Sequence, residues 1–114
     1  MTSLDLYAEY LRERRGYELL LDREHRGFAV YSYKQPYCYI SDIYVRPDHR
    51  HTGMAREMAD LLSEMAKDAG CTHLLGSIDM TTNGWEHSLH LLVQYGFVPL
   101  KMPGERQMVL EKRL

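Results

Sequence analysis

Cysteine is scarce in this chain of 114 residues, which has only Cys38 and Cys71. Two thiols at that separation suit neither a disulfide scaffold nor a metal knuckle, so reduced cysteines in a cytoplasm are expected. The histidines lack partners at metal-ligand spacing, and no metal site is expected. An excess of charge is lacking as well: 14 Lys and Arg stand against 16 Asp and Glu, for a net charge of −2. Nothing in that balance points to nucleic acid or an anionic membrane as a partner. No apolar run approaches the roughly 20 residues of a membrane span, and the first residues show no signal-peptide pattern. Repeats, low-complexity segments and linkers are also missing. A mass of 13.4 kDa with 45 % hydrophobic residues leaves room for one core, so residues 1–114 are expected to form a single domain.

Hydrophobic periodicity divides the chain into nine elements. Residues 3–15 carry Leu4, Leu6, Tyr7, Tyr10 and Leu11 at helical spacing, with Ser3 as N-cap and Gly16 as stop. Residues 17–21 and 28–33 predict strands around the polar turn 22–27, and 37–45 a third strand rich in aromatic and β-branched residues. After Pro47 and Asp48, a second helix opens at Gly53 and buries Met54, Met58, Leu61, Leu62 and Met65. Residues 72–78 then predict a strand parallel to the third, because a strand–helix–strand crossover of this length is almost always right-handed and parallel. A last helix over 85–95 uses Leu89, Leu92 and Val93, and a closing hairpin joins 97–102 to 106–111 across Pro103, Gly104 and Glu105. The order is α-β-β-β-α-β-α-β-β. It implies an α/β (α+β) fold with a mixed, mostly antiparallel sheet.

The stretch 39–69 carries the chemistry. A strand leads through a basic loop into a helix whose first amides have no partner within the helix, and whose dipole adds positive potential there. Such an end attracts phosphate oxygens. Gly53 allows close approach to the main chain, while Arg50, His51 and Arg56 supply donors around it. No Gly-Lys-Ser/Thr follows, which argues against a nucleotide-hydrolysing loop.

The pattern Arg50-x-x-Gly53-x-Ala55, preceded by Ile43, Tyr44, Val45, Arg46 and Pro47, resembles the acyl-CoA loop of the GCN5-related N-acetyltransferases. Gln94, Tyr95, Gly96 and Phe97 resemble that family's helix-to-strand ending. The chain is similar to a short version lacking the usual first strand and helix. The resemblance implies binding of acetyl-CoA as acetyl donor and transfer to an amine acceptor, a small molecule, peptide or protein. It implies that the third and fourth strands splay and that the pantetheine arm lies between them. The main chain of Ile43, Tyr44 and Val45 would meet that arm. Amides of His51, Thr52, Gly53, Met54 and Ala55, with the Arg50 side chain, would hold the pyrophosphate. Asn83 resembles the family's asparagine before the last helix, and a plain N-cap or turn role is its rival. Pairing into a homodimer is implied by many relatives.

A protonated amine with an ordinary pKa near ~10.4 must lose a proton before it attacks a thioester. Asp42 is the one carboxylate inside the third strand, and strict alternation puts it on the face opposite Tyr39, Ser41 and Ile43 unless a bulge intervenes. It is the candidate base, with an ion pair or a backbone contact as the alternative. The family's tyrosine, which protonates the departing thiolate, lies four residues before the glycine of the ending. Here that position is Leu92, and Tyr95, one turn on, is the candidate acid. Loss of that tyrosine keeps a second expectation open: a CoA-binding module of the same fold with weak or lost catalysis.

Overall fold

The computed structural model describes residues 2–100 and 106–114. Its six strands form one sheet in the order β1-β2-β3-β4-β6-β5. Helix α1 (Ser3–Tyr10) runs on as a π-helical turn, Leu11–Arg15, and ends at the left-handed Gly16. Its cap is Thr2 rather than Ser3, in a capping box with Asp5. A meander follows, with β1 (Glu18–Leu21), β2 (Gly27–Lys34) and β3 (Tyr37–Val45) paired antiparallel. Helix α2 (Met54–Asp68) crosses over to β4 (His73–Asp79), which pairs parallel to β3. Then come α3 (Trp85–Tyr95), β5 (Val98–Pro99) and β6 (Gln107–Arg113). The element order, the mixed sheet and its parallel pair match expectation. The predicted turn at 103–105 lies outside the described residues, and the strand before it is described only as Val98–Pro99.

One face of the sheet carries the main core. Ala29, Tyr31, Cys38, Ile40, Val45, Leu74, Ile78 and Leu110 cluster there with Met54, Met58, Leu62 and Ala66 of α2. Leu62 is fully buried, a contribution of about 2 kcal/mol. Leu61, expected inside, is 49 % exposed; its place is taken by Ala59 and Ser63, whose small side chains let α2 approach closely. Val93 is likewise exposed, while Leu89 and Leu92 pack on the core.

The opposite face is thinly covered. Tyr7 of α1 meets Phe28 edge-on, and among the described residues Leu11, at the end of that helix, and Val30 and Ser32 of β2 are buried on this side. Leu6 and Tyr10 stay exposed, and Tyr7 is covered only in part, so the helix presents little of its broad apolar face to the sheet.

Candidate active site

Strands β3 and β4 pair only from Tyr37 with His73 to Ile40 with Gly76. Beyond those residues β3 runs on to Val45 and β4 to Asp79, so the two strands part. The break has a local cause. Tyr31 pairs with Ile40 but Val30 pairs with Asp42, leaving Ser41 as the extra residue of a β-bulge, which bends the strand and interrupts its ladder.

The bulge also corrects the expected direction of Asp42. Cross-strand partners share a face, and Asp42, Tyr44 and Tyr39 are opposite Val30, Phe28 and Ser32. Asp42 therefore stands on the α1 face together with Tyr39, not opposite it. Ile43, like Ile40, remains on the core face. A cavity of about 470 Å³ lies in the gap. Its wall includes consecutive residues of both parting strands, Ile40 to Ile43 of β3 and Gly76 to Asp79 of β4. Ala55, Arg56 and Ala59 of α2 and Trp85, Ser88 and Leu92 of α3 continue the wall.

The N-terminus of α2 stands at the same end. Gly53 caps α2 with φ of 84°, a left-handed conformation, and no side chain caps the helix. A Cβ built on Gly53 meets nothing within 4 Å, so the space beside this residue is open, and no side chain of the chain caps the first amides of α2. His51 also has a positive φ of 65°, and Thr52 Oγ1 donates to the His49 carbonyl at 2.6 Å, which fixes the loop. Arg50 is placed otherwise than as a free phosphate donor. Its Nε donates to the Val45 carbonyl at 2.9 Å and its guanidinium lies 5.6 Å from the Tyr44 ring centre, so it ties the loop to the end of β3. Only its terminal nitrogens stay available. The Arg46 amide bonds to Arg26 across the β2 edge, so by alternation the amides of Ile43 and Val45 face the gap.

The titratable groups at the gap differ in environment. Asp42 keeps exposed surface, yet the concave wall removes it from bulk water and raises its pKa above the ordinary 3.8, against a lesser opposing effect of the Ile43 amide. Asp79 is lowered, because the hydroxyl and the amide of Thr81 both donate to its Oδ1, at 2.6 and 2.9 Å. Among the described residues no group of three metal-ligating side chains occurs.

The Acetyltransferase (GNAT) family profile matches residues 2–97. The chain belongs to that family. Solved GNAT structures share its fold at low identity. A GNAT-family protein from Desulfovibrio desulfuricans superposes with a TM-score of 0.75 at 15 % identity, covering 96 % of this chain and 77 % of the other. PaiA N-acetyltransferase from Thermoplasma acidophilum, solved in complex with coenzyme A, gives 0.76 at 14 %, over 99 % and 72 %. Ribosomal-protein-alanine N-acetyltransferase from Brucella melitensis gives 0.69 at 22 %, over 99 % and 80 %. No protein with a curated functional description matches the chain.

Members of the GNAT family are acyltransferases, and three positions here depart from the pattern that the resemblance implies. Leu92 occupies the place of the tyrosine, packed within 4 Å of the space over Gly76. Tyr95 lines the cavity, but its hydroxyl donates to Asp60 Oδ1 at 2.6 Å and lies 3.2 Å from Ser63 Oγ, both on α2. Burial first, and the Asp60 carboxylate second, raise this phenol above 10.0. Asn83 is exposed in the loop before α3 and is not part of the cavity wall, which takes Thr82 and Trp85 instead. Ser41, Ser77 and Ser88 also line the cavity, and no motif or spacing in the sequence marks them.

Proposed function

We propose that this chain is an N-acetyltransferase that moves an acetyl group from acetyl-CoA to a primary amine. The observation that carries this is the gap between β3 and β4, which opens beside the uncapped, glycine-led N-terminus of α2. A pyrophosphate is accommodated there in this reading, because the space beside Gly53 is open and the first amides of α2 have no side-chain cap. An extended arm fits along β3, since the main chain of Ile43 and Val45 faces the gap and the Ile43 amide stands where a developing negative charge could be met.

When bound, acetyl-CoA supplies the activated acyl group. The residues of this chain do the rest. Asp42, on the α1 side of the gap, takes a proton from the amine, and the walls orient the two reactants. Leu92 and Phe97 keep the inner end apolar and exclude water. Ser88, one turn before Leu92, offers a hydroxyl to the departing sulfur. Two buried free cysteines support a reducing, cytoplasmic location. Val98, 61 % exposed on the outermost strand β5, supports pairing with a second chain along that edge.

The test is release of free thiol from acetyl-CoA over a panel of primary amines. Turnover above background is expected, and none on a broad panel would overturn the enzymatic reading. The commitment of the Tyr95 hydroxyl to Asp60, with Leu92 in the usual place of the acid, favours one alternative, a CoA-binding module without turnover. Calorimetric binding of acetyl-CoA without thiol release would select it.

A further inference from the structure

Ser77 is the first residue of β4 beyond its last pairing with β3, Gly76 with Ile40, so it stands where the two strands part. It lines the cavity, and its Oγ lies 2.6 Å from the hydroxyl of Tyr39, one residue before Ile40 on β3. A phenol is the better hydrogen-bond donor of the two. With its proton given to Ser77 Oγ, the serine keeps its own for a group in the gap. Other donors at the gap are already engaged. Thr82 Oγ1 donates to the Asp79 carbonyl at 2.7 Å, and the Ile43 amide acts on the Asp42 carboxylate. Of the wall hydroxyls, Ser77 is held in place by a side chain of the facing strand.

A fixed donor beside the place where negative charge develops lowers a barrier more than a mobile one, since nothing has to reorient during the reaction. Two hydroxyls in a chain also polarise one another, which strengthens the bond that the second one donates. We propose that Ser77 Oγ donates a hydrogen bond to the acyl oxygen during transfer and that Tyr39 positions the Ser77 hydroxyl for it. This rests on the acetyltransferase reading and adds a catalytic residue to it. As the amine nitrogen bonds to the acyl carbon, one C=O electron pair moves onto the oxygen, where Ser77 of β4 and the Ile43 amide of β3 meet it from the two sides of the gap. When the C–S bond breaks, that pair re-forms the carbonyl and the sulfur leaves with the bonding electrons. The Ser77 proton stays on its own oxygen throughout, and the amine proton goes to Asp42.

The test compares the full chain with Ser77→Ala, Tyr39→Phe, the double variant and Ser77→Thr. Circular dichroism confirms that each is folded, and should Ser77→Ala fail to fold, Tyr39→Phe carries the comparison. In thiol release, kcat is expected to fall at least tenfold in Ser77→Ala and severalfold in Tyr39→Phe, with KM for acetyl-CoA unchanged. The double variant falls no further than Ser77→Ala, because the phenol acts through the serine. Ser77→Thr keeps the hydroxyl and recovers most of the rate. A second readout needs no turnover. With carbonyl-13C acetyl-CoA bound and no acceptor present, the infrared carbonyl band moves to lower frequency in the wild type and returns toward its solution position in Ser77→Ala and partly in Tyr39→Phe. Losses that multiply in the double variant, or one band position in wild type and both single variants, overturn the proposal. If the wild type still releases thiol in that case, the Ser77 role alone has failed; if it neither binds acetyl-CoA nor releases thiol, the acetyltransferase reading fails with it.

Discussion

The Tyr95 hydroxyl donates to the Asp60 carboxylate at 2.6 Å and so fastens α3 to α2 across one wall of the cavity. The guanidinium of Arg56 and the ammonium of Lys112 lie 5.7 and 5.4 Å from the centre of the same ring. A side chain held by this many partners spans the two helices instead of moving with a reacting group.

Tyr95→Phe removes that link and leaves the ring in place. A loss of about 1 kcal/mol in stability is expected, the usual net worth of one such hydrogen bond, together with a KM for acetyl-CoA raised severalfold. The kcat should change little. A fall in kcat of a hundredfold at unchanged KM would instead make Tyr95 the acid.

Gly53 adopts a φ of 84° with free space around its Cβ position. Gly53→Ala therefore costs about 1 kcal/mol from backbone strain alone, with only a modest loss of cofactor affinity. Gly53→Glu puts a carboxylate before the open amides. Calorimetry should then show acetyl-CoA affinity reduced at least a hundredfold in a chain that still folds, and equal affinity would mean that the diphosphate does not sit at this helix end.

Asp42 separates function from stability. Its pKa is raised in the folded state, so the folded protein binds its proton more tightly than the unfolded chain does. The preference is fully present below about 3.8 and is lost as pH rises through the folded value, leaving an ionised carboxylate that burdens the fold at neutral pH. Asp42→Asn is expected to raise Tm at pH 7, with the gain vanishing toward pH 3, while thiol release drops at least a hundredfold. In the wild type, activity should fall on acidification through the raised value. An Asn variant with full activity would dismiss Asp42 as the base.

Gly27 pairs with Val45, and a methyl group there would overlap the Tyr44 carbonyl oxygen. Gly27→Ala should cost about 3 kcal/mol, the upper end of overpacking, by prising β2 from the last residues of β3. Thermal unfolding measures this directly, and an unchanged Tm would contradict the register.

Burial raises the Cys38 thiol to about 11, and Cys71 is raised as well. Both should resist an aromatic disulfide reagent at pH 8 until the protein unfolds. Stability gained from keeping Cys38 protonated is complete below about 9 and fades as pH climbs toward 11. Fast labelling of native protein would show that the core opens.

Much of this was legible without coordinates because it depends on local chemistry. The boundaries of β3 and α3 follow from Pro36, Pro47, Gly84 and Gly96, which either fix φ or tolerate its positive values. Gly53 marked the cradle for the same reason. The apolar spacing of Met54, Met58 and Leu62 identified the inward stripe of α2, but it could not show that Leu61 stays outside, since neighbouring positions on a broad stripe differ only in what packs against them.

The sequence by itself determined the order of the elements, the parallel crossover and the anion-ready end of α2, all of which follow from backbone preferences within a few residues. The tertiary structure alone decided which face Asp42 occupies, that the Arg50 side chain closes the loop onto Val45, and that Tyr95 is held by Asp60. A bulge such as that at Ser41 is a mismatch between two strands, and a hydrogen bond from α3 to α2 joins residues 35 positions apart. Neither leaves a periodic trace in either segment taken alone.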